Sequence, residues 1–321
     1  MNNKYSKIIM DGNNLFYRSF FVNKDKNINI SNKSIESGAI QGFLKSYDKI
    51  EREFSLENSE IYVLWDNMSS KINARKQIDP DYKIDRKILS SDFYNSIDYL
   101  QLILLNRSNK YYSVKMEGME ADDLVPSLLS SFNKYDRILL FSKDLDWSRC
   151  ISKNVHWLQH NEIVTEEKFK EKFGFLPTKE KIVLYKSIRG DTSDNIPKGV
   201  KGISEKDIMY LINTYQDIYD LLDNIHKEKE IIGQKYIDQF IQNKSRLILN
   251  YQLVDFINID YNELKEYVYQ GQFNSKSLRF YYKTLGLQVS EVDKRLLGSF
   301  PDKEEIKESN DFFQYQSIQR K

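Results

Sequence analysis

Three short apolar runs, each delivered onto aspartate, constrain this chain more than anything else in it. SKIIM (6–10) stops at Asp11, IYVLW (61–65) at Asp66, and RILLF (137–141) runs into SKDLDW, which carries Asp144 and Asp146. Such runs, bounded by polar residues, read as buried strands. Between them the period changes. Ile35, Ala39, Phe43, Tyr47, Ile50 and Phe54 follow Ser34 at helical spacing, so an amphipathic helix with a serine N-cap is expected. NNLFYRSFF reads as a helix after Asp11, a further helix is expected from about 92 to 105, and YYSVK (111–115) is a fourth strand. MEADDLVPSLLSSF (119–132) reads as a helix with acids in its first turn, where the macrodipole favours them. Strands alternating with helices over residues 6 to about 160 predict an α/β fold with a mostly parallel, doubly wound sheet. Sites in such sheets lie at the carboxyl ends of the strands.

Asp11, Asp66, Asp144 and Asp146 therefore share one sheet edge with Glu120, Asp122 and Asp123 at the helix start. One aspartate after a strand is ordinary turn chemistry. Seven carboxylates at one edge answer no folding requirement and repel one another, so a cation must join them, either Lys and Arg or a hard divalent ion such as Mg²⁺. A further acidic pair, Asp191 and Asp194, sits in RGDTSDN, followed by IPKGVKGISEKDIMYLI, which has the form of a helix-hairpin-helix. Backbone amides of such a hairpin can hold a DNA phosphate without reading bases.

Beyond residue 165 the pattern is nearly all helical. The expected organisation is an α/β domain over 1–165, a helical DNA-binding subdomain over 166–300 with its hairpin at 194–210, and a mobile tail over 301–321. Residues 67–90 form the first basic concentration, with Lys71, Arg75, Lys76, Lys83, Arg86 and Lys87 against Asp79, Asp81 and Asp85. Overall, 48 Lys plus Arg meet 47 Asp plus Glu, which excludes a global polyelectrolyte clamp. No apolar run reaches the ~18 residues of a membrane span and no signal-peptide pattern opens the chain, so no membrane contact is expected. The single cysteine, Cys150, excludes an internal disulfide or a multi-cysteine zinc site and suits a reducing, cytoplasmic compartment. His156 and His160 lie on a strand-like segment and share no helical face.

DGNNLFYRSFF, WD at 65–66, ARKQIDPDYKIDR (74–86), EGMEADDL (117–124), SKDLDW (142–147) and GDTSDNIPKGVKGISEKD (190–207) occur in this order over about 200 residues. In these six blocks the chain resembles the 5′ nucleases: flap endonucleases, the 5′ nuclease domain of bacterial DNA polymerase I, and phage 5′-to-3′ exonucleases with ribonuclease H activity. The resemblance implies a PIN-like sheet, a helical arch at about 67–90 and a C-terminal helical subdomain. It also implies two metal sites, one from Asp11, Asp66, Glu120 and Asp122 with Asp123 bound directly or through water, the other from Asp144, Asp146, Asp191 and Asp194. Two Mg²⁺ about 4 Å apart, with Mn²⁺ as a substitute, would serve phosphodiester hydrolysis. Lys83 and Arg86 would contact the scissile phosphate. Arg18, Arg75, Lys76 and Tyr82, and Lys198, Gly199, Lys201, Gly202 and Lys206 of the hairpin, would bind DNA.

The implied substrates are DNA with 5′ flaps or nicks and RNA primers, cut by a monomer in replication or repair. Replication proteins are possible partners, although no clamp-binding motif accompanies the Phe312-Phe313 pair. The hairpin departs from the family's IPGVPGIG by the inserted Lys198 and by Lys201 and Ser204, which leaves K⁺ at its carbonyls open. Pro126 stands inside the helix of the acidic triplet, where its ring would meet the carbonyl of residue 122. Two other readings compete, a PIN-type ribonuclease and a catalytically silent protein for branched DNA. The arch and hairpin count against the first, and the intact carboxylates against the second.

Overall fold

The computed structural model describes residues 4–23, 26–30, 32–67, 74–85 and 89–297; Arg86 and the expected tail from 301 lie outside the described residues. At its centre is β1 (Tyr5–Asp11), flanked by β4 (Ser55–Leu64) and β6 (Ile138–Phe141), both parallel to it. β5 (Tyr111–Val114) and β7 (Val155–Gln159) extend the parallel core, and antiparallel β8 (Glu162–Val164) and β9 (Val268–Gln270) close the two edges, giving the order β8-β7-β6-β1-β4-β5-β9. The apolar runs are continuous because each strand is covered on both faces. Ile8, Met10, Ile61, Val63 and Leu139 enter one core, while Ile9, Tyr62, Leu64 and Leu140 enter the other.

The first core is roofed by α1 (Gly12–Val22), α2 (Ser37–Phe54) and α4 (Ser91–Arg107); α3 (Ala74–Ile78), which follows α2 and β4 in the chain, packs instead on the helical half. The second core is covered by α5 (Ala121–Ser130) and the helical half, α6 (Glu166–Phe173), α7 (Lys179–Arg189), α8 (Glu205–Thr214), α9 (Ile218–Asn224), α10 (Lys229–Ile232), α11 (Gln234–Gln242), α12 (Lys244–Val254) and α13 (Tyr261–Leu264). Among the described residues no helix is long and apolar enough to cross a membrane.

Three features differ from the sequence reading. Ser34 caps no helix: it lies in β3 (Lys33–Glu36), which pairs antiparallel with β2 (Asn27–Ile30), and α2 begins only at Ser37 after Glu36. The signal was there in Ile28 and Ile30 alternating with Asn27 and Asn29, and in Asn32, which takes a left-handed turn at φ 63°. Second, residues 268–297 leave the helical half. β9 joins the sheet, and α14 (Ser275–Thr284) packs on α4 with α15 (Glu291–Leu297) beside it. Buried Arg107 of α4 fixes this return by pairing with Asp48 of α2 at 2.5 Å and Asp293 of α15 at 2.7 Å. Third, the expected arch contains among the described residues only the short α3 and turns over 80–85. Tyr82 is buried there against Val183, Ile196, Leu253 and Val254, so this stretch is seated on the helical half.

Candidate active site

The strands bring the acids together by ending at the same edge. Asp11, the last residue of β1, accepts from Asn14 N–H at 2.9 Å as the N-cap of α1, and from Ser142 Oγ at 2.8 Å. Asp66 follows β4 and accepts from Ala121 N–H at 2.9 Å, which ties it to the start of α5, where Glu120 is the N-cap. Asp144, just beyond β6, accepts from Asp146 N–H at 2.9 Å and starts a 3-10 turn, Leu145–Cys150. Asp11, Asp66, Glu120, Asp122, Asp144 and Asp194 line one cavity of about 320 Å³, and Lys83 enters it among them. Asp122, Asp144 and Asp146 each offer an oxygen within 4.8 Å of the others.

Burial and crowding act on these groups together. Burial, reinforced by Asp66, raises Asp11 to about 7. Burial and Asp146 raise Asp144 to about 6, and burial with Asp144 and Asp11 pushes Asp122 well above the carboxylate range. Asp194 is raised by burial against the opposing pull of Lys83. Asp146 goes the other way: burial would raise it, but Arg149 and Lys186 hold it at about 2. Asp191 is likewise lowered, because Lys186 outweighs its burial. The Lys186 ammonium sits between them, 2.8 Å from Asp146 Oδ2 and 2.7 Å from Asp191 Oδ2, and Arg149 Nη2 is 2.6 Å from Asp146 Oδ1. The acids expected to form a second metal group thus divide. Asp146 and Asp191 face Lys186, Asp144 faces the cavity with Asp122, and Asp194 turns to Lys83 at 3.4 Å and Tyr82 Oη at 3.2 Å.

Lys83 donates to Glu120 Oε2 at 2.8 Å from a backbone at φ 55°, an uncommon conformation for a side chain of this size. Its N–H donates to Asp194 O at 3.0 Å, so the turn carrying it rests on the 191–196 loop. Asp123 does not face the cavity. Both its oxygens accept from Arg75 at 2.7 Å, and Arg75 in turn is buried rather than presented to a ligand. Tyr82 is also buried, its hydroxyl within 3.3 Å of Glu120 Oε2. Lys76 is half-buried on α3, and Arg18 is exposed on α1 beside Tyr17, which lines the cavity.

At the hairpin, Lys198, Lys201, Gly202 and Lys206 are exposed but Gly199 is buried. A Cβ there would lie 2.3 Å from Leu247 Cδ2, so this glycine serves packing against α12 and not close approach to a ligand. Gly202 takes the left-handed conformation at φ 80°. The carbonyls of Pro197, Gly199, Lys201 and Gly202 already accept from Asn250, Asn243, Gln239 and Tyr236, which argues against K⁺ there. Ser204 caps α8, and Glu205 and Asp207 occupy its first turn, so that helix end is not an open anion site. α5 runs through Pro126, which lies on its exposed face.

Four contributors escaped the sequence reading: Lys186, Arg149, Ser142 and Trp147, whose Nε1 donates to Asp122 Oδ1. Arg149 stands three residues after Asp146, a spacing that pairs side chains across one turn. Lys186 lies one helical turn before Gly190-Asp191, but nothing in the sequence shows that α7 points it at Asp146.

The chain matches the family model for the N-terminal resolvase-like domain of 5′-3′ exonucleases over residues 6–174, and the model for their C-terminal SAM fold over residues 177–270. A 5′-3′ exonuclease of Buchnera aphidicola from Schizaphis graminum is 35% identical over 252 residues, 77% of this chain and 84% of that one. DNA polymerase I of Caldicellulosiruptor bescii is 30% identical over 87% of this chain but only 33% of its own length. In fold, the chain is similar to the flap endonuclease of bacteriophage T5 in a complex with DNA and metal ions, with a TM-score of 0.56 and 22% identity over 78% of this chain and 88% of that one.

Proposed function

The chain belongs to the 5′-3′ exonuclease family, and from that premise we propose that it is a structure-specific 5′ nuclease that hydrolyses phosphodiester bonds in flapped or nicked DNA and in RNA primers, with ribonuclease H activity on the latter. The observation that carries this reading is the meeting of Asp11, Asp66, Glu120, Asp122 and Asp144 in one cavity with Lys83 among them. The donor set consists of carboxylate oxygens, which suits hard divalent cations such as Mg²⁺ or Mn²⁺. Asp11, Asp122 and Asp144 are raised by burial first and by one another's charge second, and bound cations would offset both. Asp11, Asp66, Glu120 and Asp122 would hold one ion and Asp144 with Asp146 a second, which Asp191 and Asp194 would join once Lys186 and Lys83 release them. When bound, the ions would supply Lewis acidity, activating water and neutralising the leaving oxygen.

The chain's own residues do the rest. Ser142, Asn14 and Ala121 donate to carboxylate oxygens and fix their orientation. Arg149 and Lys186 keep Asp146 ionised, so it never has to lose a proton to act. Lys83, held at the cavity by Glu120, is placed to exchange that carboxylate for the scissile phosphate and to stabilise the charge that builds there. Tyr17, exposed at the cavity mouth, offers a face on which an unpaired base can stack. Substrate would be taken by a single copy of the chain, in the cytoplasm where replication intermediates occur.

The test uses a 5′-labelled flap and an RNA-primed duplex, each with Mg²⁺ and with EDTA. Cleavage of both with Mg²⁺ alone is expected, and Asp144→Ala with Asp146→Ala should abolish it while DNA is still bound. Cleavage undiminished by EDTA, or a double variant that cuts at the wild-type rate, would overturn the reading.

A further inference from the structure

Beside the catalytic cavity lies a second one of about 360 Å³; of its lining only Arg18 has a use in the sequence reading, as a DNA contact, and Lys49, Lys143 and the apolar floor have none. Residues adjacent in the chain line the two. Tyr17 lines the first and Arg18 the second, and Asp144 lines the first and Lys143 the second. Their character is opposite. Where the catalytic cavity is acidic, the rim of the second carries Arg18 from α1, Lys49 from α2 and Lys143 from the end of β6, with Glu53 as its acid. All three cations are exposed, and none of them forms an ion pair among the described residues. Its floor is apolar and partly aromatic, with Phe54, Phe141 and Leu158. The far side is shaped by His160 and Asn161, both in left-handed conformations at φ 49° and 67°, a tight turn that holds the β7–β8 loop at the rim.

An aromatic floor beneath unpaired cations matches the two halves of a nucleotide, with the base against the rings and the phosphate among the ammonium and guanidinium groups. An acidic peptide would satisfy the cations but would leave the aromatic floor without a flat partner. The linings of the two cavities point to the source, since Lys143 adjoins Asp144 in the chain and Arg18 adjoins Tyr17, so a strand whose phosphodiester lies at Asp144 has these cations beside its path. We propose that this pocket is a nucleoside-phosphate subsite, which takes a nucleotide of the bound strand adjacent to the cleaved bond. This rests on the nuclease reading above and adds to it a place for the strand beyond the acidic cleft. Lys49 and Lys143 are then substrate-positioning residues. They counter the repulsion that the acidic cleft exerts on the phosphates next to it.

The experiment measures binding of a 5′-flap DNA in EDTA by fluorescence anisotropy over a range of salt concentrations, for wild type, Lys49→Glu and Lys49→Ala with Lys143→Ala. Removing one cation that neutralises a phosphate should flatten the slope of log affinity against log salt by about 0.9, so the double variant should lose about 2 units and bind about tenfold more weakly at moderate salt. A strand carrying iododeoxyuridine next to the cleaved position should crosslink to peptides within residues 46–54 or 141–161. Binding of labelled thymidine monophosphate by equilibrium dialysis, lost in the double variant, would show that the subsite also accepts the free nucleotide. Slope loss without such binding assigns it to the strand alone. An unchanged slope together with crosslinks confined to other peptides and no binding of the monophosphate would overturn the proposal. None of these readouts needs cleavage, so a wild type that bound flaps through this pocket without cutting them would sink the nuclease reading while leaving the pocket as a strand-binding subsite.

Discussion

Arg75 grips Asp123 through two parallel hydrogen bonds of 2.7 Å, with both side chains almost wholly buried. Arg75 also donates to the carbonyls of Leu253 and Asp255 at 2.9 Å, and Asp123 accepts from Ile257 N–H at 2.9 Å. The pair therefore pins α3 to the first turn of α5 and to the end of α12. In the motif each residue looked functional, Asp123 as the third acid of a triplet and Arg75 as part of a basic segment over DNA. The structure joins them to one another.

Breaking a buried ion pair from one side leaves an uncompensated charge, so Arg75→Ala should destabilise the fold by about 3–5 kcal/mol, read from urea unfolding. Arg75→Met combined with Asp123→Leu removes both charges and should cost less than the sum of the single changes. If Arg75→Ala unfolds at the wild-type urea midpoint, the pair does not secure this part of the chain.

The difference between these two residues and their neighbours shows where sequence reading succeeds. Apolar runs with both faces buried announce β1, β4 and β6, and the first few residues after each run are placed at the sheet edge by strand geometry alone. Asp11, Asp66 and Asp144 were therefore legible. The orientation of Asp123 was not, because Asp122 and Asp123 are adjacent on a helix and point about 100° apart, so only one can face the cavity. Lys186 illustrates the converse. A lysine on an otherwise ordinary amphipathic helix becomes part of the site only because α7 docks against the 3-10 turn carrying Asp146. β9 was missed for a similar reason. Three residues at an antiparallel edge carry too little pattern to stand out from a helical region.

Lys83 combines a strained backbone, an acidic partner and a place in the cavity. Lys83→Ala should lower the single-turnover rate of flap cleavage about 10²-fold or more, with a smaller effect on affinity, as expected when one transition-state interaction is removed. Equal losses in rate and binding would make it a phosphate clamp instead.

The raised carboxylates also make metal-free stability depend on pH. Asp11 at about 7 and Asp144 at about 6 stand above their unfolded value of 3.8. Their contribution is therefore fully present below 3.8 and is lost as pH rises through 6 and 7. Asp146, held at about 2, contributes in the opposite sense, but its loss falls on the acid side of 3.8. In EDTA the melting temperature should decline from pH 5 to pH 8. Mg²⁺ should raise it most at the upper end, because bound cations need the ionised acids. A melting temperature in EDTA that is flat over this range would show that burial and neighbouring charge do not raise these carboxyls.

The hairpin offers the last distinction, between side chains and backbone. Gly199 is committed to packing, the carbonyls around it accept from neighbouring side chains, and Glu205 and Asp207 discourage an anion at the start of α8. Any grip on duplex DNA then falls to Lys198, Lys201 and Lys206, all exposed and without ion pairs among the described residues. Replacing the three with Ala should weaken binding equally for duplexes of unrelated sequence and flatten the salt slope by up to about 3 units. Gly199→Ala should instead lower thermal stability, because its methyl meets Leu247 and the carbonyl of Ser187, and should leave the salt slope of the folded fraction as it was. An unchanged slope in the triple variant would mean that the hairpin does not touch DNA and that its lysines face solvent only.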